Sequence, residues 1–191
     1  METKQIIELV GQGIGVLIII LAAASAQFPK RWQILLGLAG VNLLTVFNQL
    51  LVGNGFAVAL GCALAAVHCP VNAYKAKKEI RTSALENAIW SALYFATWIV
   101  GIILAARAGS SSWLDIFPFF GIVTFILSVL LPKERDVRIF TFANSLVYFI
   151  YNTINLNIAA LSQLLTMISV VIALVRYREK KEETQKKAKN F

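Results

Sequence analysis

Charged residues are scarce in this sequence. Lys, Arg, Asp and Glu together make up 15% of the 191 residues, whereas hydrophobic residues make up 58% and the mean hydropathy is +0.71. An average soluble domain is about one quarter charged. A soluble fold of this composition would expose large apolar surfaces, so we expect a chain that lies in a membrane.

Chemically reactive side chains are also few. The chain has one histidine, two cysteines and ten carboxylates, and we find no Ser-His-Asp set, no metal-ligand spacing and no phosphate-binding glycine loop. Cys62 and Cys69 lie seven residues apart on one predicted helix, about 10 Å along its axis, which is too far for a disulfide. We therefore predict neither an enzyme nor a protein with a metal or cofactor.

Long apolar segments are abundant. A bilayer crossing takes about 20 mostly apolar residues, and Gly- and Pro-containing polar breaks separate seven segments of about that length. The predicted transmembrane helices cover residues 6–26, 32–52, 55–74, 86–106, 113–131, 137–154 and 157–176. The expected fold class is an all-α integral membrane protein with seven transmembrane helices.

The basic residues fall in alternate breaks. Sixteen of the 18 Lys and Arg residues lie in the first, third and fifth breaks and in the tail, and only Lys4 and Arg107 lie on the opposite side. Because Lys and Arg concentrate in cytoplasmic loops, we predict an N-terminus outside and a C-terminus in the cytoplasm. The net charge of +8 thus marks topology, and we expect no nucleic-acid partner.

The first and last parts of the chain show an internal repeat. A constant shift of 103 residues places Pro29 on Pro132 and Tyr74 on Tyr177. One extra helix separates the two three-helix units, so both have the same orientation, as in transporters that hold a substrate between parallel repeats. The predicted units are a first three-helix unit (1–75), a linker with the fourth helix (76–110), a second three-helix unit (111–178) and a basic cytoplasmic tail (179–191).

Short motifs connect the chain with a known family. They are the Gln12-Gly13-x-Gly15 stretch, the segment IFPFFG at 116–121, the stretch from Tyr148 through Asn152, and the ending Arg176-Tyr177-Arg178. Together with the order of elements, they resemble the bacterial inner-membrane YgjV-like proteins, which are similar in layout to the SWEET, PQ-loop and PnuC-type transporters. The resemblance implies a 3+1+3 helix arrangement and a bacterial inner-membrane location more than it implies a substrate. The chain lacks the Pro-Gln dipeptide of PQ-loop proteins.

Polar side chains at membrane depth mark the candidate site, because a polar group in hydrocarbon costs free energy unless it finds a partner. We predict that six of them face a water-filled cavity between the units and bind a neutral sugar, nucleoside or vitamin: Asn42, His68, Asn144, Tyr148, Asn152 and Gln163. The alternative is that they hydrogen-bond helix to helix. His68 is either a packing residue or a proton-linked switch, although we expect no carboxylate at its depth.

Pro118 is the predicted hinge, because a proline inside a helix bends it. A static kink is the alternative, and the repeat position that matches Pro118 holds Gly15 instead of a second proline. In the fourth span, Trp90, Tyr94 and Trp98 recur every four residues, which is typical of a packing or lipid-facing stripe.

The sequence therefore predicts a transporter or facilitator of a small neutral polar solute that works by alternating access between two units. Its expected partners are the lipid bilayer and the solute. The alternative is a receptor or structural membrane protein with the same layout and no transport. The oligomeric state stays open.

Overall fold

The computed structural model describes residues 3–52, 56–107, 113–154 and 159–189. Within these ranges the chain forms seven α-helices, one 3₁₀ turn (Trp113–Asp115) and no strand. The helices are α1 (Thr3–Ala26), α2 (Arg31–Val52), α3 (Phe56–Lys77), α4 (Ala84–Arg107), α5 (Ile116–Leu130), α6 (Glu134–Ile154) and α7 (Ala159–Lys189). The prediction of an all-helical fold is confirmed.

The helices differ from the predicted spans mainly at their ends. α5 starts later than predicted, because the first three residues of that span form the 3₁₀ turn. α7 continues to Lys189, since the charged tail is rich in Glu, Lys and Gln, which are good helix formers. The predicted breaks at 53–55 and 155–157, and all but Arg107 of the break at 107–112, lie outside the described residues.

Four of the described helices contain segments long and apolar enough to cross a membrane. These segments are Leu9–Ala26, Arg31–Leu51, Ala84–Leu104 and Ala160–Arg178. α5 is equally apolar in character but has only 15 residues. The length and composition of the four segments indicate a membrane protein.

The distribution of side chains is the reverse of that in a soluble protein. Leu9, Ile20 and Val67 are each about 60% exposed, while His68 and Arg138 are buried. In water, large apolar side chains are usually inside and charged ones almost never are unless paired. An apolar exterior around buried polar groups suits helices that face lipid.

The helices pack in chain order, and the last closes on the first. Each helix contacts the next, α7 contacts α1, and smaller contacts join α2 to α6 and α3 to α5. The α1–α2 and α2–α3 contacts of the first three helices have counterparts in the α5–α6 and α6–α7 contacts of the last three. The α1–α7 contact likewise has a counterpart in the α3–α5 contact, where α4 touches both partners.

α5 lies at the centre of the buried core. Its Val129 packs with Leu35 of α2 and Cys69 of α3, and all three are fully buried. One turn earlier, Ile126 packs with Ala65 of α3 and Tyr94 of α4. Three helices outside the last three-helix group therefore hold α5 in place.

The turn between α3 and α4 is fixed by local hydrogen bonds. Glu79 has a φ of 57°, and the Ile80 amide donates to the Lys75 carbonyl at 2.9 Å, which is the closing bond of a left-handed helix C-cap. The Ser83 hydroxyl then accepts the Glu86 amide at 3.1 Å and caps the start of α4. The turn brings Glu86 against Lys75, with which it forms an ion pair.

Candidate functional site

Three of the predicted site residues lie on one face of α6. Asn144, Tyr148 and Asn152 are spaced by four residues, so they stack along one side of the helix. At a rise of 1.5 Å per residue, they lie about 15, 21 and 27 Å from the start of α6 at Glu134. The structure brings these three together.

The lower part of this face packs against α5. The Asn144 amide donates to the Gly121 carbonyl at 2.7 Å and to the Thr124 hydroxyl at 3.2 Å. Gly121 is buried, and a Cβ atom there would lie 2.6 Å from Cε2 of Tyr148, so only glycine lets the Tyr148 ring approach α5 this closely. Asn144 and Tyr148 therefore contact α5 and join the helices of their own unit.

Asn152, the last of the three residues on this face, differs from Asn144 in its hydrogen bonding. Asn152 is 8% exposed, and no side-chain hydrogen bond joins it to the described part of the chain. Gln163 on α7 is partly exposed, and likewise no side-chain hydrogen bond joins it to the described part of the chain. Each amide offers two donors and one acceptor oxygen, so these two side chains retain the capacity to bind a polar molecule.

In the first unit, the amides serve the helices themselves. Asn42 donates to the Leu38 carbonyl of its own helix at 2.7 Å. Asn48, one and a half turns further along α2, donates across to the Gly11 carbonyl of α1 at 2.7 Å. These bonds are of the kind that joins membrane helices, and the structure does not bring Asn42 into hydrogen-bond contact with the α6 face.

His68 lies apart from the other predicted site residues, between α3 and α4. Its ring stacks on Trp90, with the centroids 4.1 Å apart and the planes inclined by 20°, and its Nδ1 lies 3.3 Å from the Tyr94 hydroxyl. Two members of the predicted aromatic stripe thus cover the histidine. The third, Trp98, packs on Phe119 of α5 at 5.0 Å.

The α3–α4 interface holds further polar groups on the basic side of His68. Within the described ranges, His68 Nε2, Asn72 Oδ1 and Asn87 Oδ1 are buried without a hydrogen-bond partner. The Lys75–Glu86 ion pair follows at the end of the interface. Glu86 lies in the first turn of α4, near the end of its predicted span, and one helical turn before Trp90, which stacks on His68. Buried polar atoms of this kind are where bundles bind water or polar ligands.

Two arginines at the basic end join helices that are distant in the chain. Arg31, at the start of α2, donates to the Val129 carbonyl near the end of α5 at 2.6 Å. Arg138, in the second turn of α6, donates to the Ala26 carbonyl at 3.2 Å and the Phe28 carbonyl at 2.5 Å, both at the end of α1. We call these contacts the arginine clasp. They satisfy carbonyls that a helix end leaves without a partner.

The clasp can be compared with the predicted repeat. Val129 is the residue that the shift of 103 places on Ala26, so the two acceptors match under that shift. The donors differ by one helical turn, since Arg31 corresponds to position 134 and the second donor is Arg138. α2 therefore holds the end of α5, and α6 holds the end of α1.

Side chains of α7 strengthen the same end of α1. The Gln27 amide donates to the Ser169 carbonyl at 2.7 Å and to its hydroxyl at 2.8 Å. Ser169 donates in turn to the Ala23 carbonyl at 2.6 Å, and the Tyr177 hydroxyl donates to the Gln27 carbonyl at 2.8 Å. α1 is thus bound by both α6 and α7 at this end.

The predicted hinge residue lies near a helix start. Pro118 is the third residue of α5, and in a first turn the missing backbone N–H of proline removes no helix hydrogen bond. A hinge at Pro118 would act between the 3₁₀ turn and α5, and it stays a prediction.

Sequence reasoning missed the arginine clasp and the α1–α7 contact. Arg31 and Arg138 were treated as markers of topology, and Gln27 and Ser169 were not singled out. The sequence did contain a signal. Under the shift of 103, Arg31 falls four residues before Arg138, and both arginines lie near the start of their helices. In the described part of the chain, no three His, Cys, Asp or Glu side chains converge on a metal-sized site.

Comparisons of the chain with protein-family models, with curated proteins and with solved structures give no match.

Proposed function

We propose that this protein is a bacterial inner-membrane transporter or facilitator of a small neutral polar solute, of the sugar, nucleoside or vitamin class. In this proposal all seven helices cross the membrane as two parallel three-helix units joined by α4. The N-terminus is outside and the basic tail is cytoplasmic. The layout is that of the YgjV-like and SWEET-like proteins which the sequence resembles.

The arginine clasp is the observation that carries the proposal. Its acceptors Ala26 and Val129 are equivalent under the repeat, which supports a two-fold relation between the units about an axis along the membrane normal. It ties the units together at the end that carries most of the basic residues. Alternating access needs such contacts at one end, made in one state and broken in the other.

The unbonded amides supply the solute site in this proposal. Asn152 lies about 27 Å along α6 from Glu134, and Gln163 lies about 20 Å along α7 from Arg176, so both are in the half of the protein opposite the clasp. Asn144 and Tyr148 lie below Asn152 on the same face and are fixed by α5. Neutral amides and hydroxyls bind a solute that has donors and acceptors but no net charge.

The first test is thermal stabilisation of the purified protein by a panel of sugars, nucleosides and vitamins. A ligand that binds only the folded state raises the apparent stability by mass action. We expect at least one hit, lost in Asn152→Ala and retained in Thr153→Ala, whose hydroxyl only donates to the Phe149 carbonyl of the same helix. Uptake of that solute into proteoliposomes then tests transport. A hit that survives Asn152→Ala would remove Asn152 from the site.

One observation favours the receptor or structural alternative. The side-chain amides of Asn42 and Asn144 both donate to helix carbonyls, as expected of residues that only hold a bundle together. A ligand that stabilises the protein tightly yet never crosses the proteoliposome membrane would support this alternative.

A further inference from the structure

We infer that the outer face of α2 and α3 binds one anionic phospholipid, with an acyl chain in an apolar groove and the phosphate at Lys77. The inference requires α2 and α3 to lie in the bilayer. It does not require transport, so the two proposals stand or fall separately.

The groove lies between the two helices at mid-membrane depth. It has a volume of about 380 Å³ and is lined by eight apolar residues, among them Ala39, Gly40, Leu43, Ala63, Val67 and Pro70. Ala39 and Gly40 are half-buried, whereas Ala63 is exposed and Leu43 and Val67 are 50% and 60% exposed. No polar side chain lines it, so its occupant at this depth is apolar.

The helix faces that line the groove lead to a basic end. On α3 the positions 63, 67, 70, 74 and 77 follow one face at spacings of three and four, and on α2 the positions 43, 39, 36 and 32 do the same. The two lines meet where the Lys77 ammonium lies 5.3 Å from the centre of the Trp32 ring. Tyr74, which is 61% exposed, stands between Pro70 and Lys77.

The charge at this end suits a phosphate. Lys77 and Lys78 are exposed, and no ion pair occupies either in the described part of the chain. Lys30 lies two residues before Trp32. Glu79 is the nearby acid, whereas Glu86 is already paired with Lys75. Three lysines against one free carboxylate attract an anionic headgroup.

The distances match one leaflet. Val67 and Ala63 precede Lys77 by ten and 14 residues, which are about 15 and 21 Å of helix, and half of the hydrocarbon core is roughly 15 Å. Because a phosphate at Lys77 lies outside the hydrocarbon core, the chain of that lipid ends between Val67 and Ala63, near the bilayer midplane. A second copy of the chain fits less well, because a helix about 10 Å across would fill this volume in about one turn.

The test measures lipid retention by native mass spectrometry of the detergent-purified full chain. Palmitoyl-oleoyl phosphatidylglycerol is compared with phosphatidylcholine that carries the same chains. We expect one phosphatidylglycerol to be retained in preference to phosphatidylcholine. The K77Q/K78Q variant should bind it about 25-fold more weakly, since each basic residue near an anionic lipid contributes about fivefold. The matched K133Q/R135Q variant removes two exposed charges from the other loop and should bind as the parent does.

A second pair of variants tests the groove. Ala63→Leu fills it, whereas Ala92→Leu makes the same change at an exposed position on α4. We expect Ala63→Leu to lose retained phosphatidylglycerol and Ala92→Leu to keep it, with unchanged unfolding temperatures in lipid-free detergent. The inference would be overturned if K77Q/K78Q and K133Q/R135Q lost the lipid equally, or if Ala63→Leu and Ala92→Leu retained it equally. It would also be overturned if the protein were a dimer that Ala63→Leu dissociates.

Discussion

The Arg138 guanidinium lies over the ring of Tyr177, 4.3 Å from its centre. Both side chains also donate hydrogen bonds to carbonyls that follow one another at the end of α1, Arg138 to Ala26 and Phe28, and Tyr177 to Gln27. The stacked pair thus binds three successive carbonyls, at the end of α1 and in the two residues that follow it. α1 is held by α6 and α7 together.

Replacing Arg138 by methionine should destabilise the protein. The change removes two hydrogen bonds from a charged donor, each worth about 1.5–3 kcal/mol, and leaves buried carbonyls unpaired. We expect a free energy of unfolding lower by about 3–6 kcal/mol, measured by thermal or denaturant unfolding in detergent. Arg135→Met is the control, because Arg135 is exposed on the same helix. Similar losses in both variants would show that the clasp contributes nothing.

Gly121 should not tolerate alanine. The added Cβ would lie 2.6–2.8 Å from Tyr148 ring atoms, and overpacking of this kind costs about 1–3 kcal/mol. Gly61→Ala, where a Cβ meets nothing within 4 Å, should be neutral or stabilising. In a double-mutant cycle, Tyr148→Ala should lower the unfolding temperature less in the Gly121→Ala background than in the parent, because the clash with the Tyr148 ring is then relieved. A stable single variant would contradict the contact.

His68 depends on Trp90 for its packing. Truncation of a fully buried aromatic side chain to alanine costs about 3–5 kcal/mol. Trp90 is half-buried, so we expect Trp90→Ala to cost less than this, although it also removes the ring stacked on His68. Trp113→Ala should have little effect, because Trp113 is 71% exposed. The measurement is the unfolding temperature of each variant in detergent. A larger drop in unfolding temperature for Trp113→Ala than for Trp90→Ala would show that the stacking of Trp90 on His68 contributes little to stability.

The proposed topology has a direct test. Reporter fusions in a bacterial host should show a fluorescent C-terminal fusion after Phe191, and an active alkaline phosphatase after Arg107. The first reporter works only in the cytoplasm and the second only outside it. The reversed result would place the basic loops outside, against the concentration of Lys and Arg in cytoplasmic loops.

Helix positions could be predicted from this sequence because the signal is local. Each apolar run of about 20 residues specifies its own helix, and Pro29 and Pro132 mark breaks that the structure contains. The end of α7 was harder to predict, because the Glu, Lys and Gln residues of the tail favour a helix in water as well as in a bundle.

The side-chain partners could not be predicted in the same way. Arg138 binds Ala26 across 112 residues of chain, and hydropathy carries no information on such pairs. Glu86 was expected near a span end, and only the return of α4 along α3 sets it beside Lys75. Whether Asn144 faced a cavity or a neighbouring helix depended on the rotation of α6, which its spacing alone does not fix.

α7 extends well beyond its apolar segment. Its 31 residues extend about 46 Å, and the part beyond Arg178 projects about 16 Å from the apolar segment. Ser169 and Tyr177 fasten the helix to α1 near the base of this projection. A tilt of α7 by about 10° would move the far end by about 3 Å, so a label there would report small rotations between the two halves.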